Sequence, residues 1–203
     1  ERCRLISHHG SSINERFQSS AHPHCMRISP DGKFLTVSDL GNDSIYFYYL
    51  NKESGCEELE AKVFRVPAGS GPRHLVYHPG GRRLYVNYQV SNQLAAFEYS
   101  EGQLKHLQTF SSLPDSYSGY SENAALRLSK DAKTLLVSNR GHESLAAFRI
   151  NPDGSLLPDG FIAVGKTPWD CEFLSDGRII TACAGDDRLE ITGLHEDSEI
   201  IKI

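Results

Sequence analysis

No apolar run in this 203-residue chain approaches the roughly 18 residues a membrane-crossing helix needs, so no membrane partner is expected. No Lys/Arg cluster stands out either. With 21 basic against 26 acidic residues, the formal charge is −5, and the basic stripe of a nucleic-acid binder is missing. The five cysteines, Cys3, Cys25, Cys56, Cys171 and Cys183, are scattered, odd in number and without a C-x-x-C pair. They read as reduced, packed thiols rather than a disulfide frame, which points to a cytoplasmic protein. Long helical periodicity is lacking. So is a G-x-S-x-G elbow, and no serine has an obvious histidine partner. The chain opens "ERCRLISHHG", without an initiator Met or a signal-like apolar segment. That opening favours a fragment over a complete chain and leaves the parent's targeting signals unread.

What is present is a repeat. "ISPDGKFLTVSDLGNDSIYFY" at 28–48 returns as "YHPGGRRLYVNYQVSNQLAAF" at 77–97 and "LSKDAKTLLVSNRGHESLAAF" at 128–148. A looser copy, "FLSDGRIITACAGDDRLEI", spans 173–191. The apolar residue after the second turn falls at Ile45, Leu94, Leu145 and Leu189, at intervals of 49, 51 and 44 residues. Short β-branched and aromatic runs between Gly/Asp/Asn/Pro turns, repeated at such a period, define an all-β fold, a β-propeller. In the first unit, strands are expected over 24–29, 34–39, 44–50 and 58–66. Asp31-Gly32 and Gly80-Gly81 suit the positive φ of tight hairpins.

Four four-stranded blades follow, over approximately 22–69, 70–119, 120–166 and 167–203. Residues 3–9, "CRLISHH", read as the outer strand of a preceding or closing blade, and "EIIKI" as a last strand. A partial ring is favoured over a closed four-bladed one. Because a blade is apolar on both faces, neighbouring blades must cover it, and the missing blades are expected from the rest of the parent chain.

Repeats supply an internal control, since equivalent positions should carry equivalent structural residues. Five residues before the first turn of each unit stand His24, Arg73, Ala124 and Trp169, opening the strand nearest the axis. At the end of the second strand stand Leu40, Gln89, Arg140 and Ala184. Blade structure alone does not ask for Arg73 or Arg140 there. An arginine fork at a cavity mouth suits a carboxylate or phosphate, although an Arg at a strand end often binds a neighbouring blade's carbonyls. His24 should face the same mouth, where it titrates near neutrality and can carry a proton. Pro23 fixes its own φ and holds His22 extended. The expected catalytic set is therefore His24, Arg73 and Arg140, with His22, His74, Gln89 and Asn139 beside the substrate.

Weaker signals are better read as structure. Asp39, Asn139 and Asp187 lie at turns that their side chains can cap. "GSGPRH" at 69–74 has the glycine spacing of a phosphate loop, but no helix and no Gly-Lys-Ser/Thr follows. "DSYSGYSEN" at 115–123 is a long crossing that could lid the channel. His22, His24 and His8 or His9 lack the spacing and fixed carboxylate of a metal site, so no metal or cofactor is expected.

Together, "HHGSSINERFQSSAHPHCMRISPDGKFLTVSDLGND", "GSGPRHLVYHPGGRRLYVNYQ" and "LSKDAKTLLVSNRGHESLAAF" resemble the lactonase family of seven-bladed β-propellers. That family includes propeller-type 6-phosphogluconolactonases and carboxymuconate cyclase. WD-repeat propellers are the near rival, but no Trp-Asp ends a strand here. The resemblance implies a metal-free site of one His, two Arg and one Glu at the channel mouth, acting on small anionic cyclic esters. Onto this chain the His falls at His24 and the Arg residues at Arg73 and Arg140.

Three positions depart from the pattern. The acid falls at Gln89, a further acidic residue at Ala125, and an Arg after a proline at Trp169. An amide cannot exchange a proton near pH 7, so the acid's role is vacant by this alignment. The expected activity is hydrolysis of a small anionic sugar lactone. The alternatives are a cyclase-like lactonising isomerase and a non-catalytic propeller that binds small anions or a protein partner.

Overall fold

The computed structural model describes residues 5–51, 55–56, 61–194 and 201–202. They form four antiparallel sheets. The first contains β1 (Pro23–Ile28), β2 (Phe34–Asp39) and β3 (Ser44–Asn51), with β4 (Gly55–Cys56) and β5 (Lys62–Arg65) both pairing β3. The second runs β6 (Pro72–Tyr77), β7 (Arg83–Tyr88), β8 (Gln93–Ser100) and β9 (Gln103–Ser111). The third runs β10 (Glu122–Leu128), β11 (Thr134–Arg140), β12 (Ser144–Ile150) and β13 (Leu156–Ala163). The fourth runs β14 (Pro168–Phe173), β15 (Ile179–Cys183), β16 (Arg188–Thr192) and β17 (Ile201–Lys202). Each sheet follows chain order. The opening strands β1, β6, β10 and β14 lie side by side in space, which is the fan of a propeller.

Alternation along each strand builds the core. Side chains of a strand point to opposite faces in turn, so a strand that is apolar at every position feeds two cores. Leu84 and Val86 pack towards the first sheet with Ile45, Phe47 and Phe97. Tyr85, between them, packs towards the third sheet with Leu135, Val137 and Phe148. Leu136, Leu145 and Ala147 then meet Cys171 and Ile179 of the fourth. Fully burying one such aliphatic or aromatic side chain is worth roughly 1.5–3 kcal/mol. These inter-sheet layers hold the blades in register around the axis.

Two expectations are corrected. Residues 5–9 form no strand, and residues 3–4 lie outside the described residues. In place of ladder pairing, His8 is drawn in by its side chain. Its Nδ1 lies 2.6 Å from Asp39 Oδ2 and its Nε2 2.7 Å from the Tyr48 hydroxyl. The strand expected over 58–66 is observed at Lys62–Arg65, and residues 58–60 of it lie outside the described residues. Within "EIIKI", Ile201–Lys202 does pair β16. Among the described residues, a 3-10 turn at Ala184–Asp186 is the helical structure, and no helix is long and apolar enough to cross a membrane.

Candidate active site

Each opening strand breaks its ladder near its start. The register shifts between Pro23 and Cys25, Pro72 and Leu75, Asn123 and Leu126, and Pro168 and Asp170. His24, Arg73 and Trp169 fall inside these irregularities. A bulge re-aims side chains that regular pleating would send into the blade, and here it turns them to the mouth of the channel.

A cavity of about 470 Å3 opens at that mouth, lined by His22, His24, Arg73, Gln89, Arg140 and Trp169 together with Arg16, Phe17, Leu40 and Glu122. The three expected catalytic residues therefore converge, and His22 and Gln89 join them. His74 stands directly behind, its ring centroid 5.4 Å from that of His24. Asn139 lies off the cavity. It is fully buried, donating to the Ser112 carbonyl at 2.7 Å and accepting from Asn123 Nδ2 at 2.7 Å. Neighbouring strand residues face opposite ways, so Arg140 at the mouth sends Asn139 inward.

The residue that sequence reasoning missed is Glu122. It pairs with Arg140 at the start of the third blade. Its counterparts are the residues whose carbonyls receive the matching backbone bonds, namely His22 from Leu40, Gly71 from Gln89 and Thr167 from Ala184. A signal was present. Blades one, two and four follow that position with Pro23, Pro72 and Pro168, and blade three has Asn123 instead. The acid lies one step before the break in the proline pattern, not at Gln89 or Ala125. Ala125 is fully buried in the layer between the third and fourth blades.

Hydrogen bonds tie the polar groups into one network. Arg73 is 5% exposed. Its Nε donates to Gln89 Oε1 at 3.0 Å, and its Nη1 donates to the Ala124 carbonyl at 2.6 Å and to His74 Nε2 at 3.0 Å. Gln89 Nε2 donates in turn to Glu122 Oε2 at 3.0 Å, and Arg140 Nη2 donates to the same oxygen at 2.9 Å. Tyr120, from the 115–123 crossing, donates its hydroxyl to Glu122 Oε1, and Arg16 donates to that hydroxyl at 2.9 Å. The crossing thus contributes to the rim. Arg140 lies over the Trp169 ring, 4.5 Å from its centroid.

The electrostatics follow from three guanidinium groups around one carboxylate. Burial first, and then the positive charge of Arg73, push His24 down to about 4, although its ring still reaches the cavity. The same two causes push His74 down to about 3. Burial, followed by the charge of Arg140, lowers Arg73 to about 10, so it stays cationic at neutral pH. Both imidazoles are therefore neutral there. Among the described residues, no group of three or more His, Cys, Asp or Glu side chains gathers in a way that would hold a metal ion.

The "GSGPRH" stretch has a structural explanation. The Gly69 and Gly71 amides both donate to the Asp43 carboxylate at 2.7 Å, so the loop closes on the protein's own anion. That bond anchors the segment carrying Arg73.

Antiparallel sheets fanned side by side in chain order define the fold class as a β-propeller. The chain belongs to the family "Lactonase, 7-bladed beta-propeller", which it matches over residues 1–199. It is 30% identical to the periplasmic gluconolactonase of Pseudomonas aeruginosa, with a TM-score of 0.89 over 98% of this chain and 58% of that one. A Bacteroides fragilis protein described as a candidate 6-phosphogluconolactonase is 28% identical, with a TM-score of 0.84 over the same shares. An uncharacterized Staphylococcus aureus protein is 36% identical over 188 residues, 92% of this chain and 54% of that protein. The chain spans about half the length of such curated relatives.

Proposed function

We propose that the protein is a lactone hydrolase acting on a small anionic sugar lactone, with 6-phosphogluconolactone the first substrate to test. The observation that carries this reading is a neutral His24 facing Arg73 and Arg140 in one cavity. His24 takes a proton from water as the oxygen attacks the lactone carbonyl. The carbonyl π electrons move to oxygen, and the guanidinium groups stabilise the oxyanion. Collapse breaks the ring C–O bond, and the proton held by His24 passes to the leaving alkoxide. The product hydroxy acid then releases its carboxyl proton to solvent. Glu122 and Gln89 act indirectly, by holding Arg140 and Arg73 in place. A cytoplasmic location belongs to this proposal and is supported by the free, buried thiols of Cys25, Cys171 and Cys183.

Hydrolysis is measured against the spontaneous rate with the wild-type chain and its His24→Ala and Arg73→Lys variants. Loss of one oxyanion donor costs roughly 3–4 kcal/mol in activation free energy, so turnover should fall by about two to three orders of magnitude in Arg73→Lys. No excess over the spontaneous rate, or an excess untouched by His24→Ala, overturns the reading. A binding-only role is the second reading, favoured because Arg73 and Arg140 already donate to protein acceptors. It predicts stabilisation by small anions without turnover.

A further inference from the structure

We propose that Trp169 is the platform on which the closed ring of the ligand stacks, so that the site prefers the cyclic lactone to the open-chain acid. This rests on the reading of the cavity as a lactone site. Trp169 is 50% exposed and forms part of the cavity wall. It takes no part in the layer between the third and fourth blades, which is filled by Ala125, Leu136, Leu145, Cys171 and Ile179. Packing therefore does not account for an indole here. Its counterparts in the other blades are His24, Arg73 and Ala124, two of which carry the polar chemistry of the cavity.

Arg140 lies over the indole, and the residue nevertheless stays half exposed. Phe17 and Leu40 supply further apolar wall, whereas the remaining lining is charged or polar. Apolar wall combined with a few converging polar groups is how a pocket orients a small amphipathic ligand. A saturated six-membered lactone is such a ligand, with C–H bonds on its ring faces and oxygens around its edge. Laid on the indole surface that Arg140 leaves open, it keeps its edge oxygens within a cavity whose lining includes Arg73 and His24. A ring-opened hydroxy acid gains an oxygen and a carboxylate charge but has no rigid face to stack, and it loses more conformational freedom on binding. The platform thus favours substrate capture and product release together.

The test uses two stable probes, D-glucono-1,5-lactam for the ring and D-gluconate for the open chain. Trp169 is the only tryptophan in the chain, so its emission reports directly on the platform. In the wild type the lactam should change that emission saturably and bind at least about tenfold more tightly than gluconate by calorimetry. Trp169→Phe should keep most of that ratio. Trp169→Ala and Trp169→Leu, checked for native melting, should bring it close to one.

Equal binding of the two probes by the wild type, or an unchanged ratio in the Ala and Leu variants, overturns the proposal. If Trp169 only positions Arg140, both probes weaken together and the ratio persists, which also counts against it. Lactam binding through Trp169 with no lactone turnover would sink the hydrolase reading alone. Turnover dependent on His24 but with KM indifferent to Trp169→Ala would sink the platform alone.

Discussion

Gln89 donates through Nε2 to Oε2 of Glu122 at 3.0 Å, across the boundary between the second and third blades. Its other end accepts from Arg73, so the amide presents a donor to the carboxylate and an acceptor to the guanidinium. A carboxylate could serve only the second contact. Gln89→Glu would place two acids within hydrogen-bond distance, and one of them would be held protonated until a raised pKa is passed. A group whose folded-state pKa is raised keeps its stabilising contribution at low pH and loses it as pH rises. The variant's melting temperature should therefore approach the wild type's near pH 4 and fall progressively below it towards about pH 8. Thermal melts across that range check this, and equal stability at the upper end would show that the arginines hold both anions.

His24 and His74 carry the opposite sign. Burial and the charge of Arg73 depress both, to about 4 and about 3, so the folded state resists their protonation while the unfolded chain accepts it at about 6.5. Their contribution to stability is complete above about 6.5 and is lost as pH falls towards 4 and 3. The double variant His24→Gln, His74→Gln should lose less of its melting temperature than the wild type between pH 6.5 and 4. The acid limb of kcat/KM should likewise lie near 4, since the free enzyme's base sets it. A limb near 6.5 would mean that another group is the base.

The repeat made His24, Arg73 and Arg140 legible, because a polar residue in a slot that sister blades fill differently needs a reason. Glu122 escaped for a local cause. Asn123 stands where the other blades carry proline, and unlike proline it can donate a backbone hydrogen bond, here to the Gln89 carbonyl. The third opening strand starts one residue earlier than its sisters, and Glu122 enters the ladder opposite Arg140. Asn139, expected beside the substrate, is instead sent by period-two alternation away from the side on which Arg140 stands. Residues 3–9 carried strand-like letters, but His8 is held by the Asp39 and Tyr48 side chains, partners that no local pattern announces. The blade is a local property. The polar network depends on which blades touch, and that information is spread over some fifty residues of chain.

Asp43 shows how far the site depends on such a distant contact. It adopts φ 52° at the turn after β2, and its carboxylate takes the amides of Gly69 and Gly71, at φ 82° and 66°. Pro72 and Arg73 follow at once, so this contact sets where the guanidinium begins. Hydrogen bonds to a charged acceptor contribute roughly 1.5–3 kcal/mol each, and truncation also leaves the buried Gly71 amide unpaired. Asp43→Ala should therefore destabilise the chain by about 3 kcal/mol or more in denaturant melts. Asp43→Asn, which keeps one acceptor oxygen, should lose about half as much. Lactone turnover in Asp43→Asn should fall although no atom of residue 43 lines the cavity, and with it the binding of D-glucono-1,5-lactam. Wild-type turnover in a variant that has lost that stability would show that Arg73 is held by Gln89, His74 and the Ala124 carbonyl alone.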